Sequence, residues 1–272
     1  MDTKYDKLKD IIGKMDSILV AYSGGVDSTL LLKASLDVLG DRVLAVIATS
    51  ETYPADEIEQ AEKTATELGA RVIKIRTHEL DNPSFAINTP ERCYHCKREV
   101  FAKLKQVAAG AGLKWVAHGA NVDDLKDYRP GAKAASEMGI RAPLQEAGLT
   151  KADIREISRE LGLPTWDKPS LACLASRIPY GVQITAEALQ KVDKAETALK
   201  GLGFRQVRVR HHDTIARIEV EMEELPKLLD SKIRPKVVEE LKKVGYLYVA
   251  VDLEGYRTGS MNEALNTKAK TN

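Results

Sequence analysis

The 272-residue chain carries almost no net charge and no long apolar run. Its 41 Lys and Arg nearly balance its 40 Asp and Glu. This balance excludes nucleic-acid binding through bulk charge, although it is compatible with a local basic stripe on the surface. The longest apolar runs, at residues 18–22 and 43–48, are strand-sized and far too short to span a bilayer. We therefore expect neither nucleic acid nor a membrane as a partner.

Cysteine is scarce, with three residues in the chain. The first ten residues, MDTKYDKLKD, have no apolar core behind their charges, so we expect no signal peptide and a cytoplasmic protein. Thiols are reduced in that compartment, which favours metal binding or catalysis over disulfides. Hydrophobic residues at 43% and charged residues at 30% are typical of a globular protein with a sizeable core.

Strands and helices alternate over the first part of the chain. Apolar runs predict strands at 17–22, 43–48, 71–76 and 114–119, and helical spacing predicts helices at 5–14, 29–39, 55–68, 91–109 and 151–161. This alternation predicts an α/β domain with a parallel sheet covered on both faces.

An irregular stretch, 165–181, is dense in Pro, Ser and Gly, and we place a domain boundary there. Beyond it the pattern predicts a helix at 186–202, a strand at 204–210, a turn at 211–213 and a strand at 215–220, then two helical stretches and a strand at 246–253. We therefore expect two domains, an α/β domain at 1–180 and a smaller α+β domain at 181–272.

The sequence SGGVDS (23–28) joins the first strand to the next helix. Gly24 and Gly25 let the backbone turn sharply, and the N–H groups at a helix start attract an anion. The loop has neither the Walker ending nor the dinucleotide glycine spacing, and an ordinary turn is the alternative. Further hydroxyl donors are Ser23, Ser28 and Thr29.

Asp27 lies inside this loop and would repel a bare phosphate. An anion bound there would need a metal ion beside it, and Mg²⁺ suits carboxylate and phosphate oxygens best. The loop therefore indicates a phosphate site that works with Mg²⁺.

Cys93 and Cys96 lie near the start of a predicted helix at a spacing that puts both on one face, so they can share a metal centre. Three thiolates, with Cys173, do not complete a structural zinc site unless His95 or His118 joins them. They suit a 4Fe-4S cluster with one iron left open. Buried thiols without metal, or a partial zinc site, remain alternatives.

SGGVDS in this context resembles the PP-loop of the ATP pyrophosphatases, which include GMP synthetase, NAD synthetase and tRNA-thiolating enzymes. The resemblance extends to GANVDD (119–124) and to residues 143–155. It implies cleavage of ATP between the α and β phosphates, with pyrophosphate held by the loop and an oxygen adenylated. It also implies a nucleotide site that includes Ala48, Ser50 and Gly119. Asp123 and Asp124 fit a catalytic role and a solvated loop equally well.

The segments WDKPSLACLASRIPYG (166–181), DYRPG (127–131) and RVR (208–210) are similar to the signature of the LarE family, over residues 5–265. This resemblance implies an ATP-dependent sulfur transferase of nickel-pincer cofactor synthesis. Such an enzyme adenylates a carboxylate of pyridinium-3,5-biscarboxylic acid mononucleotide and forms the thiocarboxylate. It also implies that domain 1–180 binds ATP and carries catalysis and that domain 181–272 serves substrate binding or oligomerisation. A homo-oligomer, a sulfide donor and a downstream nickel-insertion enzyme are implied as well.

The family has two chemistries, and the cysteine count separates them. One-cysteine members surrender their own sulfur, whereas three-cysteine members resemble cluster-dependent thiolases whose open iron carries an extra sulfide. Cys93, Cys96 and Cys173 fit the second type, although Cys173 is either a cluster ligand or a sacrificial donor. Ser176, in the same signature, is expected in the cofactor site.

Cationic side chains are candidates for holding the anionic groups of the substrate. Lys97 and Arg177 suit carboxylate or phosphate. Arg208 and Arg210, two apart on a strand, share one face and are expected to bind a phosphate, with Glu219 orienting them from the partner strand. A solvated edge strand, whose charges block aggregation, is the alternative.

Three other functions compete with this interpretation. A PP-loop tRNA thiolase is disfavoured because no RNA-binding appendage or aromatic–basic pattern is visible. A zinc-stapled nucleotide-binding module without catalysis remains open. An amide-forming synthetase is disfavoured because no glutaminase segment is visible.

Overall fold

A computed structural model describes residues 3–126, 130–170, 172–257 and 260. These residues fall into two compact units, residues 1–85 with 90–171 and residues 86–89 with 172–272, and each unit is described by itself. The first unit begins with the elements α1 (Thr3–Gly13), β1 (Ile18–Ala21), α2 (Val26–Leu39), β2 (Val43–Thr49), α3 (Ala55–Glu67), β3 (Arg71–Arg76) and α4 (Pro83–Ala86). Its remaining elements are α5 (Arg92–Gly110), β4 (Trp115–His118), α6 (Pro130–Glu137), α7 (Pro143–Ala147) and α8 (Lys151–Glu160).

The first unit is built on a parallel four-stranded sheet in the order β3-β2-β1-β4. The register pairs Ala21 at the end of β1 with Val46 and His118 of its neighbours. Because parallel strands end at one edge, everything that follows β1, β2 and β4 meets there.

Helices cover both faces of this sheet, as the sequence predicts. One face packs Val20 and Ile47 against α1, α2, α3, α7 and α8 in an apolar core. The other packs Leu19 and Val46 against α5 and α6 around Phe101. The near-continuous apolar strands β1 and β2 are buried on both sides, the usual state of strands in a parallel sheet.

The second unit has a three-stranded sheet and its own core. Its elements are α9 (Ala186–Gly201), β5 (Val207–His212), β6 (Ile215–Val220), α10 (Leu225–Leu229), α11 (Arg234–Val244) and β7 (Tyr248–Val251). The strand order is β5-β6-β7, with β5 antiparallel and β7 parallel to β6. Phe204, Leu199 and Leu241 pack beneath the sheet, which gives the predicted α+β arrangement.

A short segment, 86–89, belongs to the second unit although residues of the first unit surround it in sequence. The buried Asn88 amide donates to the carbonyl oxygens of Ile178, Pro179 and Val182 at 2.8–3.2 Å. Asn88 has φ of 58°, a left-handed conformation that asparagine tolerates better than most residues. This anchor was not predicted from the sequence.

Several boundaries differ from the predictions. The second unit begins at residue 172, earlier than the expected 181, since Arg177 pairs with Glu196 of α9 in that unit. The predicted turn at 211–213 is wrong, because β5 runs to His212 and pairs it with Ile215. The turn is therefore two residues long, and Asp213 takes the positive φ of 54° that this requires. Helices α6 and α7 were not predicted.

No helix within the described ranges is long and apolar enough to cross a membrane. The DYRPG segment of the resemblance falls mostly outside the described residues, at 127–129.

The start of α8 generates the first prediction. Thr150 Oγ1 accepts from Asp153 N at 3.3 Å, and the Asp153 carboxylate accepts from Thr150 N at 2.8 Å, which forms a capping box. Thr150→Ala should lower the free energy of unfolding by about 1 kcal/mol, measured by urea denaturation. Thr66→Ala, at an exposed threonine of α3, is the control and should cost less than about 0.5 kcal/mol. Equal losses would contradict the capping role.

Candidate active site at the carboxyl edge of the parallel sheet

The loop of residues 23–28 leaves β1 and becomes the first turn of α2. Gly25 is the N-cap residue and supplies no side chain, so no side chain caps the helix. Ser28 Oγ donates to Gly25 O at 3.1 Å and accepts from Ser23 N at 3.3 Å, and it lies 3.2 Å from Ser23 Oγ. Thr29 lies beneath the loop, with Oγ1 at 3.2 Å from Tyr22 Oη. The loop is thus braced internally at the positive end of the α2 dipole.

Two glycines let other elements approach this loop closely. Gly24 has φ of 70°, and a Cβ there would lie 2.6 Å from Ala61 Cβ of α3. A Cβ on Gly119, just after β4, would lie 2.9 Å from Ser28 N and 3.1 Å from Asp27 C. Both positions therefore need glycine for steric reasons.

Asp27 is held by two partners from distant parts of the first unit. Lys151 Nζ, at the start of α8, donates to Asp27 Oδ2 at 2.5 Å, and Asn121 Nδ2 donates to Asp27 Oδ1 at 3.2 Å. The Lys151 and Asp27 side chains are 35% and 22% exposed. An ammonium group thus already offsets the charge that Asp27 would present to a phosphate.

Asp123 and Asp124 shape the turn that supports this network. Asp123 Oδ2 accepts from Lys151 N at 2.9 Å, and Asp124 Oδ2 accepts from Asn121 N at 3.0 Å. Both residues are half-buried. These contacts position Lys151 and Asn121, and a catalytic role of the two carboxylates stays a prediction.

Lys168 reaches the loop from the irregular stretch. Its Nζ donates to Gly24 O at 3.1 Å and pairs with Glu57 Oε2 of α3 at 2.9 Å. Neither Lys168 nor Lys151 was assigned a role from the sequence. The available signal was a lysine at the first position of a threonine-capped helix and another inside the signature segment.

Ala48 and Ser50, two residues of the predicted nucleotide site, lie at the end of β2. Ala48 is half-buried near the end of the strand, and Ser50 follows it. Ser50 Oγ lies 2.9 Å from Thr52 Oγ1 and accepts from Thr52 N, so the chain turns at once. This places a small polar turn beside the phosphate loop at the same sheet edge.

Cys93 and Cys96 lie near the start of α5 in the first unit, where the sequence predicts a helix. Cys93 is exposed, whereas Cys96 is half-buried against the apolar face and its Sγ lies 3.8 Å from the buried Glu79 Oε1. Lys97 packs its Nζ 5.7 Å from the Phe101 ring, and a Cβ on Gly131 would lie 3.0 Å from Lys97 Cγ.

Cys173 and Ser176 belong to the second unit, so the predicted cysteine set divides between the units. Within the described ranges, no three His, Cys, Asp or Glu side chains are grouped closely enough to hold a metal ion. Cys93 and Cys96 present thiols on one turn of α5, a spacing that suits two ligands of a thiolate-bound cluster. The cluster stays a prediction.

Arg177 is almost completely buried. Its Nε and Nη2 donate to both oxygens of Glu196 at 2.8 and 2.9 Å. Its Nη1 donates to Ala172 O, Cys173 O and Ser176 Oγ at 2.6–3.0 Å. The guanidinium thus holds the turn that carries Cys173, and direct contact with a substrate anion stays a prediction.

Arg208 and Arg210 are both buried, so the alternative of a solvated edge strand is wrong. Arg210 donates to both oxygens of Glu219 at 2.8 and 2.7 Å and to Ser176 O at 2.8 Å. Glu219 thus fixes the orientation of Arg210, and the phosphate role of the two arginines stays a prediction. Arg208 lies 5.4 Å from the Tyr256 ring, and burial, with nearby Arg177, lowers its pKa to about 10.

The Gly119 contact generates a prediction. Gly119→Ala should lower the free energy of unfolding by about 1–3 kcal/mol and displace the loop, because its Cβ meets backbone atoms that cannot rotate away. Thermal and urea unfolding would measure this. Gly110→Ala is the control, since a Cβ there meets nothing within 4 Å. Equal stability of the two variants would contradict the prediction, because the loop would then move aside without a cost in stability.

His118, at the end of β4, generates a prediction about pH. Burial, with Lys97 nearby, lowers its pKa to about 4 from 6.5. Between pH 6.5 and 4 the unfolded chain therefore binds a proton at His118 that the folded chain does not bind. The free energy of unfolding should fall as the pH drops through this range. His118→Gln should remove up to about 3 kcal/mol of this loss in urea titrations at several pH values. If the free energy of unfolding depended on pH in the same way in wild type and variant, the prediction would be contradicted.

Known proteins resemble the chain along nearly its whole length, although no family model matches it. An uncharacterized protein of Synechocystis, slr1717, is 43% identical over 97% of the chain and 99% of its own length. Pyridinium-3,5-bisthiocarboxylic acid mononucleotide synthase of Lactiplantibacillus plantarum is 41% identical over 98% of the chain and 96% of its own length. GMP synthase of Phaeosphaeria nodorum is 25% identical over 62% of the chain and 37% of its own length, which agrees with a PP-loop domain. The chain belongs to the LarE family, that of the pyridinium-3,5-bisthiocarboxylic acid mononucleotide synthases.

Proposed function

We propose that the chain is an AMP- and pyrophosphate-forming sulfur transferase of nickel-pincer cofactor synthesis. It adenylates a carboxylate of pyridinium-3,5-biscarboxylic acid mononucleotide and replaces one oxygen with sulfur. The observation that carries this is the glycine-dependent phosphate loop, in a chain that matches the bisthiocarboxylic acid mononucleotide synthase almost end to end.

The first step uses ATP with Mg²⁺. A carboxylate oxygen of the substrate attacks the α-phosphorus, and the bond to the β-phosphate bridging oxygen breaks, so pyrophosphate leaves with the electron pair. The N–H groups at the start of α2 and the ammonium of Lys151 stabilise charge on the departing pyrophosphate. Asp27, released from Lys151 by the anion, is the carboxylate suited to Mg²⁺.

The second step replaces AMP. The adenylate is an activated acyl group, and sulfide attacks its carbonyl carbon to give the thiocarboxylate, AMP and a proton. No electron is gained or lost overall. The carboxylate itself is a poor electrophile, which explains why ATP is consumed.

The cationic residues of the second unit bind the substrate phosphate in this proposal. Arg210 presents a guanidinium oriented by Glu219, and Arg208 is buried beside Tyr256. Arg177, through its bonds to the Cys173 and Ser176 region, acts as a positioning residue. Lys97 at the start of α5 is the proposed partner for a substrate carboxylate in the first unit.

Cys93, Cys96 and Cys173 would hold a 4Fe-4S cluster. When bound, it would supply an iron that carries the sulfide for transfer, and the sulfide could be replenished between turnovers. If no cluster binds, Cys173 is left as a sacrificial sulfur donor. The cytoplasmic location, the homo-oligomer, the sulfide donor and the nickel-insertion partner belong to the same proposal.

Two measurements test the function. Protein purified without oxygen should contain about four irons and at least four acid-labile sulfides per chain, lost in Cys96→Ala, while zinc stays low. The mononucleotide should trigger AMP and pyrophosphate formation from ATP. Stoichiometric zinc would remove the cluster mechanism, and a loss of sulfur mass at Cys173 after turnover would identify the sacrificial route. ATP cleavage without the mononucleotide, or none with it, would contradict the proposed reaction.

A further inference from the structure

Lys168 connects the irregular stretch to the phosphate loop through its side chain, and its surroundings are unusually well defined. The side chains of Lys168 and Glu57 are 12% and 15% exposed, so their ion pair at 2.9 Å is largely withdrawn from water. The same ammonium donates to Gly24 O at 3.1 Å. A charged donor thus holds one particular carbonyl of the loop.

The backbone that carries Lys168 is fixed from the other side. Arg155 of α8 donates from Nη1 to Trp166 O at 2.7 Å and from Nη2 to Lys168 O at 2.8 Å. The position of the ammonium therefore does not depend on Glu57 alone. Helix α8 and helix α3 together determine where the lysine points.

The carbonyl of Gly24 has a direct consequence for the next amide. In a planar trans peptide the C=O of one residue and the N–H of the following residue point in opposite directions. A donor that fixes Gly24 O also fixes the direction of Gly25 N–H, away from the lysine. Gly24 has φ of 70° and no side chain, so this peptide would otherwise rotate most easily in the loop.

Helix α3 acts on the loop from one face, directly through Ala61 and indirectly through Glu57 and Lys168. Glu57 and Ala61 are four residues apart and therefore lie on the same side of the helix. Ala61 fills the space beside Gly24, and Glu57 holds Lys168 over its carbonyl. Shape and charge from one helix face thus act on the same peptide unit.

We propose that Lys168 is a positioning residue of the pyrophosphate site. It acts by turning the Gly24–Gly25 peptide so that Gly25 N–H is presented to the anion, and it does not contact the phosphate itself. The identity of the anion rests on the proposed function. The orientation of the peptide does not.

The first test measures binding of inorganic pyrophosphate with Mg²⁺ by calorimetry. Lys168→Met should raise the dissociation constant by about tenfold to a hundredfold, because a charge-assisted bond that prepares the site is lost. Lys168→Arg keeps a charged donor and should restore most of the affinity. Lys74→Met is the matched control, since it removes a lysine paired at 2.6 Å with Glu62 of the same helix without touching the loop.

The second test monitors the Gly24–Gly25 peptide by NMR, without any ligand, in protein labelled with ¹⁵N at glycine only. Lys168→Met should shift the Gly25 amide signal, and Lys74→Met should leave it in place. A binding loss with an unshifted Gly25 signal would make Lys168 a direct ligand of the anion and overturn the proposal. Where wild-type protein binds pyrophosphate, unchanged binding in Lys168→Met would overturn it as well.

The double variant Glu57→Gln/Lys168→Met controls for misfolding caused by an unpaired Glu57 carboxylate. It leaves no unpaired carboxylate and should show the same Gly25 shift. An unshifted signal in this variant would also overturn the proposal. If wild-type protein binds no pyrophosphate while the Gly25 signal still shifts, the proposed function fails and the positioning role stands.

Discussion

The phosphate loop depends on a steric constraint: neither of the two elements that press against it leaves space for a side chain. Helix α3 lies against Gly24, and Gly119, just after β4, lies against the backbone of Asp27 and Ser28. Strand β1 can hold the loop between them because the sheet order places β2 and β4 on its two sides. The loop geometry therefore follows from the packing of the whole first unit, and the bonds inside the loop only refine it.

Charge completes what packing begins. Lys151 and Asn121 hold Asp27, and Lys168 holds a loop carbonyl, so three side chains from after β4 converge on one short turn. In the second unit, Arg177 and Arg210 each make a two-bond pair with a buried glutamate. Such pairs contribute little net stability, but they hold a guanidinium in one orientation, and breaking one would leave an uncompensated buried charge.

Much of this could be predicted from local patterns. The apolar runs of β1 and β2 and the position of SGGVDS follow from periodicity and turn chemistry, because they depend on neighbours in sequence. Lys151 could not be assigned to Asp27, since the contact joins residues 124 positions apart and periodicity carries no such information. The turn after β5 was misplaced because His211 and His212 end the alternation of apolar and polar residues, whereas strand pairing extends through both.

Asn88 has a consequence for the order in which the chain can fold during synthesis. Its three carbonyl partners are 90–94 residues further along, so they do not exist when segment 86–89 leaves the ribosome. The Asn88 side chain cannot be buried in its final place until residues 178–182 have been made, because its amide would be left without acceptors. The segment therefore stays without its partners while the rest of the first unit is being made. A protein cut after residue 171 would lack those partners altogether. The two units therefore cannot be produced as independent fragments by a single cut, even though each has its own core.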